Sequence, residues 1–256
     1  MNWDVLDWSI LSPALVAGVL VLSTHVPLGR EVLARGIIFI DLALAQIASL
    51  GVVVATALGW EPHGWGMQVA AAAAAIAGAA LLYRSERLLP EHQEALIGSA
   101  FVLAATLAIL LLAKNPHGGE RLKELLTGQI LWVDARQLIS LTIVSAVLLG
   151  VWFGLAARRP PWLFYVVFAV AVTASVQVVG VYLVFASLIL PALSAHRLTG
   201  ARAIWTGYGT GTAGFAAGIA ASALWDLPTG PTVVWTLAIA SLIVAFAGWR
   251  PNAAQR

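Results

Sequence analysis

Five side chains stand out in this sequence as candidate cation ligands: Asp41, Gln46, His25, His117 and Glu120. Asp41 leads, because it is the one formal charge in Gly36–Gly59, GIIFIDLALAQIASLGVVVATALG, an apolar run long enough to cross a bilayer. A carboxylate at membrane depth costs roughly 2.5 to 3.5 kcal/mol on insertion scales, so it normally faces a protein interior or a wet pathway. In a helix Gln46 lies about 140° round from Asp41, with Ser49 between them. An unbroken helix therefore does not close Asp41 and Gln46 on one ion. Either other segments supply the remaining ligands, or a break near Ala43–Ala45 re-aims the backbone. The plainer alternative is a buried structural acid bonded to a neighbouring hydroxyl or backbone group.

The other candidates lie near span ends. His25 closes the first apolar segment just before Pro27, as a pathway ligand or an interfacial residue. His117 and Glu120 share the longest loop, Lys114–Arg136, where an imidazole and a carboxylate could receive a metal, against the reading of a solvated turn. Glu61 and His63 form a second such pair in WEPHGWG, while His92 and His196 read as solvated.

The elements that must position these groups are membrane helices. Hydrophobic residues make up 61% of the chain and charged residues 10%, and the mean hydropathy is +0.91. No soluble domain covers that much apolar surface, so the chain reads as an all-α integral membrane protein, one transmembrane domain over residues 1–256. No Walker-type phosphate loop occurs, so energy from ATP must come from another chain. The basic residues sit in short loops and form no nucleic-acid-binding face. With no cysteine and two methionines, disulfides and thiolate ligands are excluded and a copper(I) site is disfavoured. The N-terminus has no basic residue before Arg30, so the first apolar segment reads as retained.

A bundle of eight to nine transmembrane helices is expected, drawn as spans at roughly 8–26, 36–59, 66–83, 94–113, 137–157, 162–178, 180–195, 203–225 and 231–249. The sixth and seventh are short enough to be irregular. Alternate threading puts Arg30, Arg35, Arg84, Arg87, Arg158, Arg159, Arg197, Arg202, Arg250 and Arg256 on one side, against Lys114, Arg121, Lys123 and Arg136 on the other. The positive-inside rule makes the first side cytoplasmic, with the N-terminus outside. Trp3, Trp8, Trp60, Trp65, Trp132, Trp225 and Trp235 then fall near outer ends, and Trp152, Trp162, Trp205 and Trp249 near inner ends, as interfacial belts do. Small residues at i,i+4 (Ala45/Ser49, Gly51/Ala55, Gly207/Gly211, Gly214/Gly218) mark close helix packing. Glu120 to Leu126 reads as a short amphipathic helix stopped by Gly128. Tyr208, Thr210 and Thr212 either line a polar path or are satisfied within their own helix.

Four stretches, HVPLGREVLARGIIFIDLALAQIASLGV (25–52), LLTGQILWV (125–133), VVGVYLVFASLILPAL (178–193) and DLPTGPTVV (226–234), together resemble the permease subunit of zinc/manganese/iron ABC importers. The resemblance implies a type II importer fold and a permease homodimer in the cytoplasmic (inner) membrane. It also implies an ATP-binding cassette ATPase below and a periplasmic or extracellular metal-binding protein above. Such a subunit is not an enzyme and keeps no permanent cofactor; a divalent cation, Zn2+ first, passes through it. The family pattern carries Gly-Asp and then a His five residues after the Asp. Asp41 matches the Asp, Ile40 replaces the Gly and Gln46 stands where the His would be, so the binding role carries over to Asp41. The segment Ala156–Trp162 is too short for the docking helix expected after the fifth span. Either another loop such as Arg84–Glu94 docks the ATPase, or the chain is an ATPase-independent transporter or channel. A non-transporting scaffold or sensor of the same fold is the third reading.

Overall fold

The structure, a computed structural model, describes residues 8–60, 65–113, 115, 118–155 and 160–247, apart from the side chain of Arg121. The described residues form α-helices and short turns with no strand: α1 (Trp8–Arg35), α2 (Ile40–Ala57), α3 (Trp65–Leu88), α4 (Gln93–Leu112), α5 (Gly118–Thr127), α6 (Ala135–Gly154), α7 (Pro161–Val179), α8 (Val181–Ser194), α9 (Gly200–Trp225) and α10 (Thr229–Ala247). Seven of them, α1 to α4, α6, α7 and α10, are long and apolar enough to cross a membrane. The Gly-rich α9 is long but less apolar. α8 has 14 residues, about 21 Å at 1.5 Å per residue, which is short of a bilayer's hydrocarbon core. The expected all-α bundle of eight to nine spans is therefore present, with α5 as the added amphipathic helix.

Local sequence explains where the helices turn. Gly36 adopts a φ of 71° in the reversal from α1 to α2, a conformation other residues resist. Gly180, at φ 79°, makes the corner between α7 and α8. Pro160–Pro161 opens α7, where a missing N–H is harmless. Asp134 caps α6 in a reciprocal box: its Oδ1 accepts from the Gln137 N–H at 2.7 Å while Gln137 Oε1 accepts from the Asp134 N–H at 3.0 Å.

The first span differs from expectation. α1 does not stop near residue 26 but runs on through Pro27 to Arg35, which places His25 inside a helix and not at its end. Pro27 has no N–H for the Ser23 carbonyl, and in lipid that carbonyl needs another donor. Tyr208 of α9 supplies it, its hydroxyl donating to Ser23 O at 2.9 Å. The two short spans, α7 and α8, are regular helices, and α2 continues unbroken past Ala43–Ala45.

Two ends can be distinguished by what converges there. At one, Arg30 of α1 donates to Gly200 O of α9, and Arg35, Glu86 of α3 and Tyr165 of α7 meet. This is the arginine-rich end. At the other, the α5 end, Gly128, Gly180 and Gly230 bring three backbones together, Gly128 against Val179 and Gly180, and Gly230 against Thr127. A side chain at any of the three would strike main-chain atoms.

α7 and α2 are the interior helices, with 72 and 61% of their spanning windows buried against 22% for α4, α6 and α10, which face outward. α7 and α8 each pack on both α1 and α2. The α9 glycines serve two faces: Gly207 and Gly211 admit Val26 and Leu22 of α1, while Gly214 and Gly218 admit Leu237 and Val233 of α10. Gly51 packs on Ala70 and Ala74 of α3 as its spacing predicted. Of the tryptophans expected in the belts, Trp8, Trp60, Trp65, Trp132, Trp225, Trp235, Trp162 and Trp205 are all exposed, and Trp3 and Trp249 lie outside the described residues. Trp152 is the correction: it is 5% exposed, packed with its ring centroid 6.4 Å from that of Phe164, because α7 lies over it.

Candidate functional site

Asp41 sits in the first turn of α2, at the arginine-rich end, 0% exposed. Neither carboxylate oxygen has a hydrogen-bond partner, so it is not the acid bonded to a neighbouring hydroxyl that the plainer sequence reading allowed. Helix geometry gives its direction. Leu44, Ile47 and Gly51 face Gly78, Ala70 and Ala74 of α3, and Val53 packs on Ala108 and Leu112 of α4. Asp41 lies roughly 90° round from the α3-facing row, on the remaining side, where α7 and α8 pack. The positive end of the α2 dipole favours an anion there.

Gln46 is also buried but, on an unbroken helix, points about 140° away toward the α4 side. Asp41 and Gln46 therefore do not close on one ion, and no backbone break brings them together. Ser49 is buried with its Oγ unpartnered, about 12 Å further along the same helix.

His25 is a further buried group with one polar atom left without a partner. It is 0% exposed; its Nδ1 lies 2.9 Å from Val21 O and 3.1 Å from Thr24 Oγ1, and its Nε2 meets nothing. Glu120 lies exposed in the first turn of α5, at the opposite end of the molecule from Asp41. His117, together with Glu61 and His63, lies outside the described residues. Among the described residues no three of His, Asp or Glu gather to hold a metal, so Asp41, Gln46, His25 and Glu120 do not form one cage. His92 and His196 are exposed, as expected. Thr210 donates to Thr206 O of its own helix at 2.8 Å, and Tyr208 to Ser23 O of α1 at 2.9 Å.

Sequence spacing gave no sign of the cluster below Asp41. Arg35 Nε pairs with Glu31 Oε1 at 2.9 Å and its Nη1 stands 4.0 Å from Glu86 Oε1. Its guanidinium lies 4.3 Å from the Phe164 ring centroid, and Tyr165 donates to Glu86 Oε2 at 2.8 Å. Beside it Gln93 of α4 donates to Leu82 O at 3.0 Å and accepts from Ser85 at 2.9 Å. Three of these residues are more than 45 positions apart in the chain, which is why no local pattern marks them. Two exposed turns flank the cluster at this end, one carrying Leu88 and Leu89, the other Leu198 beside His196 and Arg197. The second was not singled out from the sequence.

The family model described as the ABC 3 transport family matches residues 7–159 and 152–248, nearly the whole described chain. The chain belongs to the ABC 3 transport family. It is thus a membrane transport subunit whose ATP hydrolysis resides on a separate chain, as the sequence resemblance implied. No similar protein was found among curated sequences. Among solved structures the ABC 3 chain is similar to PsaBC from Streptococcus pneumoniae, determined in complex with Fab, at 20% identity and a TM-score of 0.77, with 95% of each chain covered. It is also similar, at 15% identity and a TM-score of 0.70 over 92% of this chain and 85% of that one, to an inward-facing ABC transporter assigned to the metal-chelate type. These likenesses establish the permease fold.

Proposed function

We propose that this ABC 3 subunit is the permease of an importer for divalent metal cations, with zinc the first cargo. The observation that carries the reading is Asp41, a fully buried carboxylate with both oxygens free of partners. A group so costly in a membrane persists where something positive meets it during the working cycle. The metal-chelate type named for one neighbour in fold supports a metal-containing cargo, carried there as a chelate and here as the free cation. Oxygen and imidazole ligands, with no thiolate anywhere, suit zinc, manganese and iron alike. One carboxylate per protomer holds an ion weakly, as a transit site requires. At the far end Glu120, with His117 beside it in sequence, would receive the ion.

In this reading the arginine-rich end is cytoplasmic, two permease copies sit in the inner membrane, a cassette ATPase docks on the turns bearing Leu88–Leu89 and Leu198, and a metal-binding protein delivers from outside. The test is elemental analysis of zinc and manganese in cells that lack their own importers and express this chain with its ATPase, as wild type and Asp41→Asn. Wild-type accumulation that falls at least about tenfold in the variant, at equal membrane expression, supports the assignment; equal accumulation removes Asp41 from the path. The second reading, an ATPase-independent carrier, is favoured by the shortness of Ala156–Trp162, and accumulation without the ATPase would establish it.

A further inference from the structure

His25 is the buried histidine among the described residues, and the geometry around it fixes its protonation. A carbonyl oxygen only accepts, so the 2.9 Å contact between Nδ1 and Val21 O places the ring hydrogen on Nδ1. The Thr24 hydroxyl, 3.1 Å from the ring, gives its own hydrogen to Val21 O at 3.1 Å. Nε2 is then a bare lone pair, pointing into protein with nothing to meet it. Three hydroxyls on neighbouring helices donate elsewhere, Ser187 to Leu183 O, Thr173 to Ala169 O and Tyr208 to Ser23 O, while the amide nitrogen of Gln177 on α7 is buried without a partner and makes no bond to the ring. An imidazole whose Nδ1–H rests on a backbone carbonyl while Nε2 stays free is the arrangement found in metal-ligating histidines.

Its place in the fold agrees. His25 shares a helix row with Gly29, whose Cα is pressed against Leu188 O of α8, so the ring is directed toward α8 one turn above that contact. α8 and α7 also pack against α2, the helix of Asp41. His25 precedes the arginine-rich end of α1 by ten residues, roughly 15 Å, whereas Asp41 lies in the first turn of α2 at that end.

We propose that His25 Nε2 is a metal ligand on the translocation path, a station separate from and deeper in the membrane than Asp41, and that it tunes the path toward zinc-like cations over those that take only oxygen. The proposal rests on the metal-transport reading and adds the residue that supplies nitrogen ligation. Imidazole suits zinc, whereas carboxylate and water suit magnesium, calcium and manganese.

The test begins with a variant that leaves His25 untouched. Purified permease–ATPase complex carrying His63, His92, His117 and His196 all changed to Gln, without a histidine tag, is loaded with ZnCl2 and measured by zinc X-ray absorption. Outer-shell imidazole scattering in that variant that disappears when His25→Gln is added is expected; scattering that is absent, or that persists in the His25→Gln variant, overturns the proposal. In cells, His25→Gln should lower zinc accumulation about tenfold or more, and His25→Asp should shift the zinc-to-manganese ratio toward manganese by a similar factor. Wild-type accumulation that Asp41→Asn abolishes and His25→Gln leaves intact overturns the role of His25 while the transport reading stands. A wild-type complex that accumulates neither metal overturns the transport reading itself.

Discussion

Asp41 carries a cost that the fold leaves uncompensated, and this separates function from stability at one residue. Removing an unpartnered buried carboxylate should not weaken the bundle and can strengthen it, since replacing a buried charge by a neutral group of similar shape is often neutral or stabilising. Asp41→Asn is expected to unfold in detergent at the same or a higher temperature than wild type while accumulation falls. A marked loss of thermal stability would mean that the carboxylate holds the structure together instead. Tyr165 makes the opposite case. Its hydroxyl has a partner in Glu86, and Tyr165→Phe removes it, so a loss of about 0.5 to 1.5 kcal/mol is expected from thermal unfolding. Because Glu86 is about one-third exposed, water can replace the lost donor and the lower half of that range is favoured.

Between helices, backbone proximity matters more than side-chain chemistry. A Cβ at Gly29 would strike the Leu188 carbonyl of α8, whereas one at Gly209 meets nothing within 4 Å. Gly29→Ala should therefore cost about 1 to 3 kcal/mol as overpacking, and Gly209→Ala should be neutral or gain about 0.5 to 1 kcal/mol in helix propensity. Paired melting curves decide it, and equal behaviour of the two would contradict the close α1–α8 approach. The same logic governs Pro27. The carbonyl it leaves open on Ser23 is met only across the bundle, by Tyr208. Loss of that hydroxyl in Tyr208→Phe should cost about 0.6 to 2 kcal/mol, the range for interhelical hydrogen bonds in membranes.

For the molecule as a whole, the two ends divide the work. The α5 end is closed by backbone contacts among Gly128, Gly180 and Gly230, and Gly180 also holds a positive φ. The arginine-rich end carries charge, exposed leucines and the Arg35–Glu86–Tyr165 cluster. If the ATPase docks there, Leu198→Glu or Leu88→Glu should reduce its co-purification and ATP-dependent metal accumulation without changing the amount of permease in the membrane. Wild-type coupling in both variants would place the docking surface elsewhere.

The sequence by itself determined the membrane class, the order of nine apolar helices and the approximate bounds of all but the first, the α5 helix stopped at Gly128, and the singular status of Asp41. All of these follow from local quantities: the length of an apolar run, the period of small residues, a charge where none is affordable. The same local quantities misplaced the end of α1, because Pro27 breaks a helix unless a distant donor relieves it, and only tertiary packing brings Tyr208 there. They set Trp152 in an interfacial belt, because burial by α7 has no local signature. They left open whether Asp41 and Gln46 converge, and the unbroken backbone of α2 decided against it. They could not see the tautomer of His25 or the ion-pair cluster around Arg35, since both depend on atoms brought together by helix packing from separate parts of the chain.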